Sequence, residues 1–322
     1  MPEISNNSRS RTDNPLEPFL QGQGFAVLDG GLATEMEARG ADLDHFLWSA
    51  RMLTDQPDLV QAVHAAYLEA GADIIATATY QASFGGFERA GYDRRAGERL
   101  MRLSVELAQQ ARDEFWSDAA SRERLLRPLI AASIGPYGAC LHDGSEYHGN
   151  YSVGPRALRD FHRERLDVLA DTPADLFAFE TIPSQLEAGV LIELLADYPE
   201  WCAWLSFSCR DGESVSHGEA FADCARLADA APQIVAVGVN CTPPQFVGDL
   251  LDAVAGLQTP RVVYPNSGEH WIARENRWAG QGSCSLAAAD WYRRGARLVG
   301  GCCRTGPEDI RQVRAELREV VK

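Results

Sequence analysis

Residues 175–195 read DLFAFETIPSQLEAGVLIELL, and this stretch shows the unit from which the whole fold is built. An apolar run at 175–180 is followed by the segment TIPS at 181–184, a polar and proline-containing start of the kind that opens helices. Residues with helical periodicity come next. A short apolar run followed by a helix is typical of one strand-helix unit in a parallel sheet.

Eight such units follow one another along the chain. The predicted strands lie at 25–29, 73–78, 129–135, 175–180, 202–208, 234–240, 261–266 and 297–302. Their partner helices are predicted to begin near Gln56, Arg95, Pro155, Ser184, Gly218, Pro243, Leu286 and Pro307.

The number of units decides between the two common parallel architectures. Eight consecutive units in roughly 300 residues match a (β/α)8 barrel, whose strands are buried on both faces and therefore read as continuous apolar runs. An open doubly wound sheet is the alternative, but no G-x-G-x-x-G follows the first strand, as a dinucleotide-binding sheet would require. We therefore predict an α/β protein with a single TIM barrel domain at 21–322, preceded by a mobile tail at 1–20.

Charge and composition exclude several classes of protein. The 322 residues contain 30 Lys and Arg against 46 Asp and Glu, a formal charge of −16, so a nucleic-acid partner is not expected. No apolar run approaches the roughly 18 residues of a membrane span, and the amino terminus has no apolar core of a signal peptide. Eight cysteines are too few for a disulfide scaffold. We expect a cytoplasmic protein without an obligate protein partner.

Three cysteines stand at predicted strand ends, where the active site of a barrel lies. Cys241 follows the sixth strand, and Cys302 and Cys303 end the eighth. Three thiolates around zinc leave a fourth position open, the arrangement of a catalytic zinc site. The alternative is a buried or oxidisable cysteine pair with no metal.

Two carboxylates stand at equivalent places. Asp29 ends the first strand and Glu180 the fourth, each directly after an apolar run. Such an acid needs a partner, either a donor within the fold or the ammonium group of a substrate. Gly30 and Gly31 would let the backbone approach a ligand closely. The irregular segment at 137–154, rich in glycine and tyrosine, is typical of loops that cover active sites.

At this point a family resemblance can be read from six segments. The chain resembles the homocysteine S-methyltransferase family from about Phe25 to its carboxyl terminus, and the GVNC and GGCC pair is the most specific part. The segments are DGGLATEMEARG (29–40), GADIIATATYQASFGGF (71–87), FETIPSQLEA (179–188), GVNCTPP (238–244), YPNSGE (264–269) and GGCCRTGP (300–307).

The resemblance implies a chemistry. It implies one Zn²⁺ per chain, held at the carboxyl-terminal face of the strands by Cys241, Cys302 and Cys303. In that family the zinc binds the thiol of homocysteine, and the thiolate attacks a methyl group of an onium donor to give methionine. The resemblance further implies that Asp29 and Glu180 hold the homocysteine amino group, with Gly30 and Thr77 nearby. It implies no catalytic residue beyond the zinc-activated substrate thiol.

The methyl donor is predicted from smaller features. Trp48 within LWSARML, Gln81 within TYQAS, and the segment DGSEYHGNY at 143–151 look most similar to the family members that use S-methylmethionine. Betaine-using members resemble TFYAS, with tyrosine where this chain has Gln81. A sulfonium would favour aromatic faces, and the candidates are Trp48, Tyr80 and Tyr147.

Other functions stay open from the residues alone. S-adenosylmethionine could serve as the donor, and betaine is a weaker alternative. The acceptor could be another thiol or a selenol, such as selenocysteine or selenohomocysteine. A barrel that binds zinc without turnover is a further alternative.

Overall fold

The structure is a computed structural model that describes residues 14–43, 45–124, 126–141, 143–272, 277–280 and 286–322. Its strands are β1 (Ala26–Val27), β2 (Ile74–Ala76), β3 (Leu129–Ile134), β4 (Leu176–Ile182), β5 (Ala203–Phe207), β6 (Ile234–Asn240), β7 (Arg261–Tyr264), β8 (His270–Ile272), β9 (Arg277–Ala279) and β10 (Ala296–Val299). Its α-helices are α1 (Glu17–Gly22), α2 (Leu32–Ala38), α3 (Met52–Asp55), α4 (Pro57–Ala70), α5 (Phe84–Arg89), α6 (Arg94–Ser117), α7 (Ala119–Arg124), α8 (Tyr137–Leu141), α9 (Pro155–Leu169), α10 (Gln185–Leu195), α11 (Phe221–Asp229), α12 (Pro244–Ala253), α13 (Ala288–Arg293) and α14 (Pro307–Val320). Two 3-10 helices span Trp48–Arg51 and Ser145–Tyr147. Among the helices of the described ranges, none combines the length and the apolar character needed to cross a membrane.

The main sheet is parallel and contains eight strands in the order β1-β10-β7-β6-β5-β4-β3-β2. Its two ends meet, because Leu28 and Ile74 form a parallel bridge and Asp29 donates its backbone N–H to the Ile74 carbonyl at 3.0 Å. Strands that follow one another along the chain are neighbours in the barrel. The exceptions are β8 and β9, which form a separate two-stranded antiparallel sheet between β7 and β10 in the sequence. The predicted TIM barrel is confirmed.

The barrel interior explains why the strands read as apolar on both faces. One cluster of buried side chains lies between strands and helices, and a second fills the inside of the barrel. Trp204 and Tyr264 are the large members of the inner cluster, and Leu298 and Ala131 pack with them. The filled interior leaves the carboxyl-terminal face of the strands as the place for a ligand.

Residues 14–20, which the sequence analysis assigns to a mobile tail, belong to the folded chain. Helix α1 begins at Glu17, and the side chains of Leu16 and Phe19 are 0% and 2% exposed within the inner cluster. Two large apolar side chains that reach the barrel interior are withdrawn from water, which holds the segment in place. The expectation of a mobile tail is therefore corrected for residues 14–20, and residues 1–13 lie outside the described part of the chain.

Candidate active site

A cavity of about 920 Å³ opens at the carboxyl-terminal ends of the barrel strands. This volume is in the usual range for small-molecule sites. All the residues predicted from the sequence to bind substrate or metal line it: Asp29, Gly30, Trp48, Thr77, Gln81, Glu180, Cys241, Cys302 and Cys303. They come together because the ends of parallel strands meet at one face of a barrel.

Three sulfur atoms form one wall of the cavity. Cys241 follows β6 and Cys302 and Cys303 follow β10, and their Sγ atoms lie within 4.8 Å of one another. The sulfurs of Cys241 and Cys302 are joined as a disulfide, and Cys303 Sγ lies 3.8 Å from Cys241 Sγ and 4.0 Å from Cys302 Sγ. Thiolate sulfur is the donor that zinc prefers, and a set of three fits a zinc ion once the disulfide is reduced.

The turn that carries the adjacent residues Cys302 and Cys303 is closely packed. A Cβ on Gly301 would stand 2.2 Å from Thr305 Oγ1, so only glycine fits there. Thr305 Oγ1 donates to the Cys302 carbonyl at 2.7 Å. Burial raises the pKa of the Cys303 thiol to about 12, so this thiol stays protonated at neutral pH unless a cation is bound.

Asp29 and Glu180 form an acidic wall of the same cavity. Asp29 Oδ2 accepts a hydrogen bond from the Ala76 backbone at 2.8 Å, and Glu180 accepts from Ser133 Oγ and, at 3.0 Å, from Tyr264 Oη. In the described ranges neither acid forms an ion pair with an arginine or lysine. Burial raises the pKa of both carboxyl groups, and the charge of Glu180 raises that of Asp29 further. A bound cation would favour the charged form of both acids and would therefore lower both pKa values.

A buried network fixes the position of Glu180. Tyr264 Oη accepts a hydrogen bond from Trp204 Nε1 at 2.9 Å and shares one with Ser206 Oγ at 2.6 Å. Ser206 Oγ also lies 2.8 Å from Oδ1 of Asn240, the residue that precedes Cys241. Sequence reasoning missed the roles of Ser133, Ser206 and Tyr264. Their signal was a polar group inside an apolar strand, which must find a partner when buried.

The remaining predicted residues are placed at the cavity by different contacts. The Thr77 hydroxyl shares a hydrogen bond with Thr79 Oγ1 at 2.6 Å and accepts one from the Ser133 backbone at 3.0 Å. Gln81 Nε2 donates to the Ala139 carbonyl at 2.8 Å, whereas its Oε1 is buried without a partner in the described structure. The Thr77 hydroxyl therefore has its hydrogen-bond partners within the barrel, whereas the side-chain amide oxygen of Gln81 can accept a hydrogen bond from a ligand.

Gly30 is explained by packing rather than by approach to a ligand. A Cβ at this position would stand 2.9 Å from Tyr67 Cε1 and 3.0 Å from the Thr305 carbonyl. Tyr67 Oη donates to the carbonyls of Gly31 and Thr305 at 3.0 and 3.1 Å. The glycine thus allows the loop after β1 to pack against α4.

Unusual backbone geometry is concentrated at the cavity. The non-glycine residues with positive φ in the described ranges all line it: Trp48 (46°), Thr181 (60°), Cys241 (46°) and Arg304 (65°). Such conformations are unfavourable for residues with a Cβ and persist where the surrounding structure enforces them, often at functional sites.

The three aromatic candidates also line the cavity. The rings of Trp48 and Tyr80 meet edge to face with centroids 6.3 Å apart. Tyr147 enters from the loop after β3, within the 3-10 helix Ser145–Tyr147, and the preceding Glu146 lines the cavity as well. Sequence reasoning did not single out Glu146, because a glutamate in a polar loop carries no signal of burial.

Comparisons with known proteins give one consistent answer. A model of the family described as homocysteine S-methyltransferase matches residues 26–317. Homocysteine S-methyltransferase YbgG of Bacillus subtilis is 45% identical over 95% of this chain and 99% of its own length. Homocysteine S-methyltransferase 1 of Zea mays is 48% identical over 90% of this chain and 93% of its own.

Solved structures agree with these relatives. The homocysteine methyltransferase MmuM from Escherichia coli superposes with a TM-score of 0.84 in its oxidized form and in its metallated form. The identities are 43% and 42%, and each alignment covers 94% of this chain and 99% of that one. The chain therefore belongs to the homocysteine S-methyltransferase family, enzymes that methylate the thiol of homocysteine.

Proposed function

We propose that the chain transfers a methyl group from a sulfonium donor, S-methylmethionine in preference to S-adenosylmethionine, to homocysteine in a zinc-dependent reaction that gives methionine. One observation carries the proposal. Three cysteine sulfurs within 4.8 Å of one another share a cavity with two buried acids that have no cationic partner in the described ranges. A substrate with a thiol and an ammonium group fits both: the thiol can bind a metal held by the cysteines, and the ammonium group is the cation that the two acids lack.

Cys241, Cys302 and Cys303, which line the cavity, would hold one zinc ion per chain, and three protein ligands leave room for a substrate ligand. When bound, zinc lowers the pKa of the homocysteine thiol so that its sulfur is a nucleophilic thiolate at neutral pH. Because the thiol proton is lost in this way, no side chain has to serve as a general base.

The two acids would orient the acceptor. Asp29 and Glu180 each present a buried carboxylate, and an ammonium group placed between them would form charge-assisted hydrogen bonds in a site with little water. The hydrogen bonds from Ser133 and Tyr264 hold Glu180 ready for this contact. Such positioning accounts for a large part of catalysis when two reactants must meet in line.

The donor would lie on the side of Trp48, Tyr80 and Tyr147, whose rings attract a sulfonium through its positive charge. The homocysteine sulfur attacks one methyl carbon of the donor, and the bond between that carbon and the donor sulfur breaks. Both electrons of the broken bond stay on the donor sulfur, so S-methylmethionine leaves as methionine. The acceptor becomes a second molecule of methionine.

The test is methyl transfer by freshly reduced, zinc-loaded protein. Homocysteine is offered with S-methylmethionine, S-adenosylmethionine or betaine in parallel, and methionine is measured. We expect the highest rate with S-methylmethionine. Zinc bound at one per chain with no methionine from any donor would refute the proposal and favour another acceptor or a non-catalytic zinc barrel.

A further inference from the structure

Glu146 is a half-buried acid that the proposed reaction leaves without a role. It lies in the 3-10 helix Ser145–Tyr147 and lines the cavity. Its Oε2 atom is buried and has no hydrogen-bond partner among the residues that the structure describes. A buried carboxylate oxygen without a hydrogen-bond donor is unfavourable, so a ligand that supplies the donor would be stabilised there.

The loop that carries Glu146 is firmly packed. Ser145 donates its backbone N–H to Asp143 Oδ1 at 2.9 Å and its hydroxyl to the Gly138 carbonyl at 3.3 Å. A Cβ on Gly138 would stand 2.6 Å from the Glu146 backbone nitrogen, so the loop lies directly against α8. The backbone that carries Glu146 is thus held in position before any ligand arrives, which favours specific binding.

The charges around the cavity favour a cationic ligand. Among the residues that the structure describes, six acids line it against one base, Arg304, whose Nε lies 3.0 Å from Glu269 Oε2. The six acids are Asp29, Glu37, Asp42, Glu146, Glu180 and Glu269. Burial raises the pKa of Glu146 to about 7, with a further contribution from Asp143. A cation beside Glu146 would restore its charged form.

The neighbours of Glu146 connect it with the donor rather than with homocysteine. Glu146 lines the same cavity as Tyr80 and directly precedes Tyr147 in the chain. These are two of the three aromatic residues proposed above to face the sulfonium. A sulfonium has no N–H or O–H to donate, so it cannot satisfy a carboxylate oxygen. The α-ammonium of an amino-acid donor has three N–H groups and can.

We propose that Glu146 binds the α-ammonium group of the methyl donor and thereby selects amino-acid sulfonium donors over onium donors without an amine. The inference rests on the proposed function for the identity of the donor. It adds a recognition residue for the donor's amino group, while the aromatic rings recognise the sulfonium itself.

The test compares two donors that differ in the amine. S-Methylmethionine and 3-(dimethylsulfonio)propionate share the dimethylsulfonium and a carboxylate, but only the first has an amino group. Both are titrated by calorimetry into reduced, zinc-loaded protein of the wild type and the Glu146→Gln variant. We expect the variant to bind S-methylmethionine about 10- to 100-fold more weakly, the worth of a hydrogen bond to a charged group. Its affinity for the propionate should stay within about 3-fold, since no amine contact is lost.

Control variants separate local contact from general charge and from misfolding. Glu37→Gln removes an equal charge from an exposed lining position and should change both affinities by the same small factor. Glu146→Asp keeps the charge but shortens the side chain, and it should recover part of the lost affinity. Thermal unfolding followed by circular dichroism checks that each variant is folded.

The outcomes distinguish this inference from the proposed function. Equal weakening of both donors by Glu146→Gln, or no change for S-methylmethionine, overturns the role of Glu146. Absence of methionine with the wild type overturns the proposed reaction, whereas a selective loss of S-methylmethionine affinity in the variant still supports the ammonium site. Wild-type protein that binds neither donor overturns both.

Discussion

The buried acids at the two ends of the barrel differ in whether they have a cationic partner. At the amino-terminal end, Asp73 is 2% exposed and its Oδ2 lies 2.7 Å from Arg314 Nη1. The same oxygen accepts hydrogen bonds from Gln23 at 2.7 Å and from the Val27 backbone at 2.9 Å. At the carboxyl-terminal end, Asp29 and Glu180 are also buried, at 7% and 9% exposure, but lack an ion pair in the described ranges.

The difference shows which end serves the fold and which serves a ligand. Breaking a buried ion pair destabilises a protein because one charge is left uncompensated. Asp73 already has its partner, so its contribution is to stability. In the proposed function the acids at the other face bind a cation that comes with the substrate, so we expect this face to be less stable without its ligand than it could be.

The largest expected effect is on the sulfur wall of the cavity. Cys303→Ser should lose zinc, measured by metal analysis, and should lower the rate of methionine formation by at least about 1,000-fold, because several kcal/mol of transition-state stabilisation depend on the metal. Cys202→Ser is the matched control, since Cys202 does not line the cavity. A zinc-free Cys303→Ser variant with wild-type activity would contradict the assignment.

The amino-terminal end is tested by removing one member of its ion pair. Arg314→Met should lower the free energy of unfolding by about 3–5 kcal/mol, because Asp73 is left buried without its cation. Chemical denaturation measures this. Arg311→Met, on the same helix, removes an exposed pair with Glu308 and should change stability by less than about 1 kcal/mol. Equal effects of the two variants would remove the contrast between the ends.

At the carboxyl-terminal end, the loss of an acid should change substrate binding rather than the stability of the fold. Glu180→Gln should raise the KM for homocysteine about 10- to 100-fold, since a charge-assisted hydrogen bond to the ammonium is weakened. The ligand-free variant should be no less stable than the wild type, because an uncompensated buried acid is removed. Glu193→Gln, on the exposed side of the following helix, should change neither quantity. Loss of stability without a change in KM would make Glu180 a structural residue.

The smallest effect is a dependence of stability on pH. The pKa of Glu146 is raised from 4.5 to about 7 in the folded state, so the folded chain binds this proton more tightly than the unfolded chain. The resulting stability is fully present below about pH 4.5 and is lost as the pH rises through 7. The wild type should therefore lose up to about 2 kcal/mol more than Glu146→Gln between pH 5 and pH 8. Parallel curves of unfolding free energy against pH would contradict this.

The strand-helix order could be predicted because it depends on local chemistry. Apolar runs buried on both faces are short and continuous, so β6 was placed at its observed bounds, Ile234–Asn240, from the sequence alone. The predicted fourth strand stopped at Glu180, whereas β4 continues to Ile182. The polar pair Glu180 and Thr181 hides that continuation, since their partners lie on other strands.

The location of the site could be predicted for a similar reason. Parallel strands bring their carboxyl ends to one face, so residues at the strand ends, such as Asp29, Cys241 and Cys302, had to come close together. The apolar strands, the strand-end residues and the family motifs were thus determined by the sequence itself.

Tertiary structure alone decided what a residue touches across the fold. Phe19 lies in a six-residue helix with no clear sequence pattern and Leu16 directly precedes it, and only the barrel interior makes them core residues. Gly30 is required by Tyr67 on a helix, and the Oε2 atom of Glu146 is buried in a loop that packs against α8. Burial and hydrogen-bond partners depend on neighbours distant in sequence, and these are present only once the chain has folded.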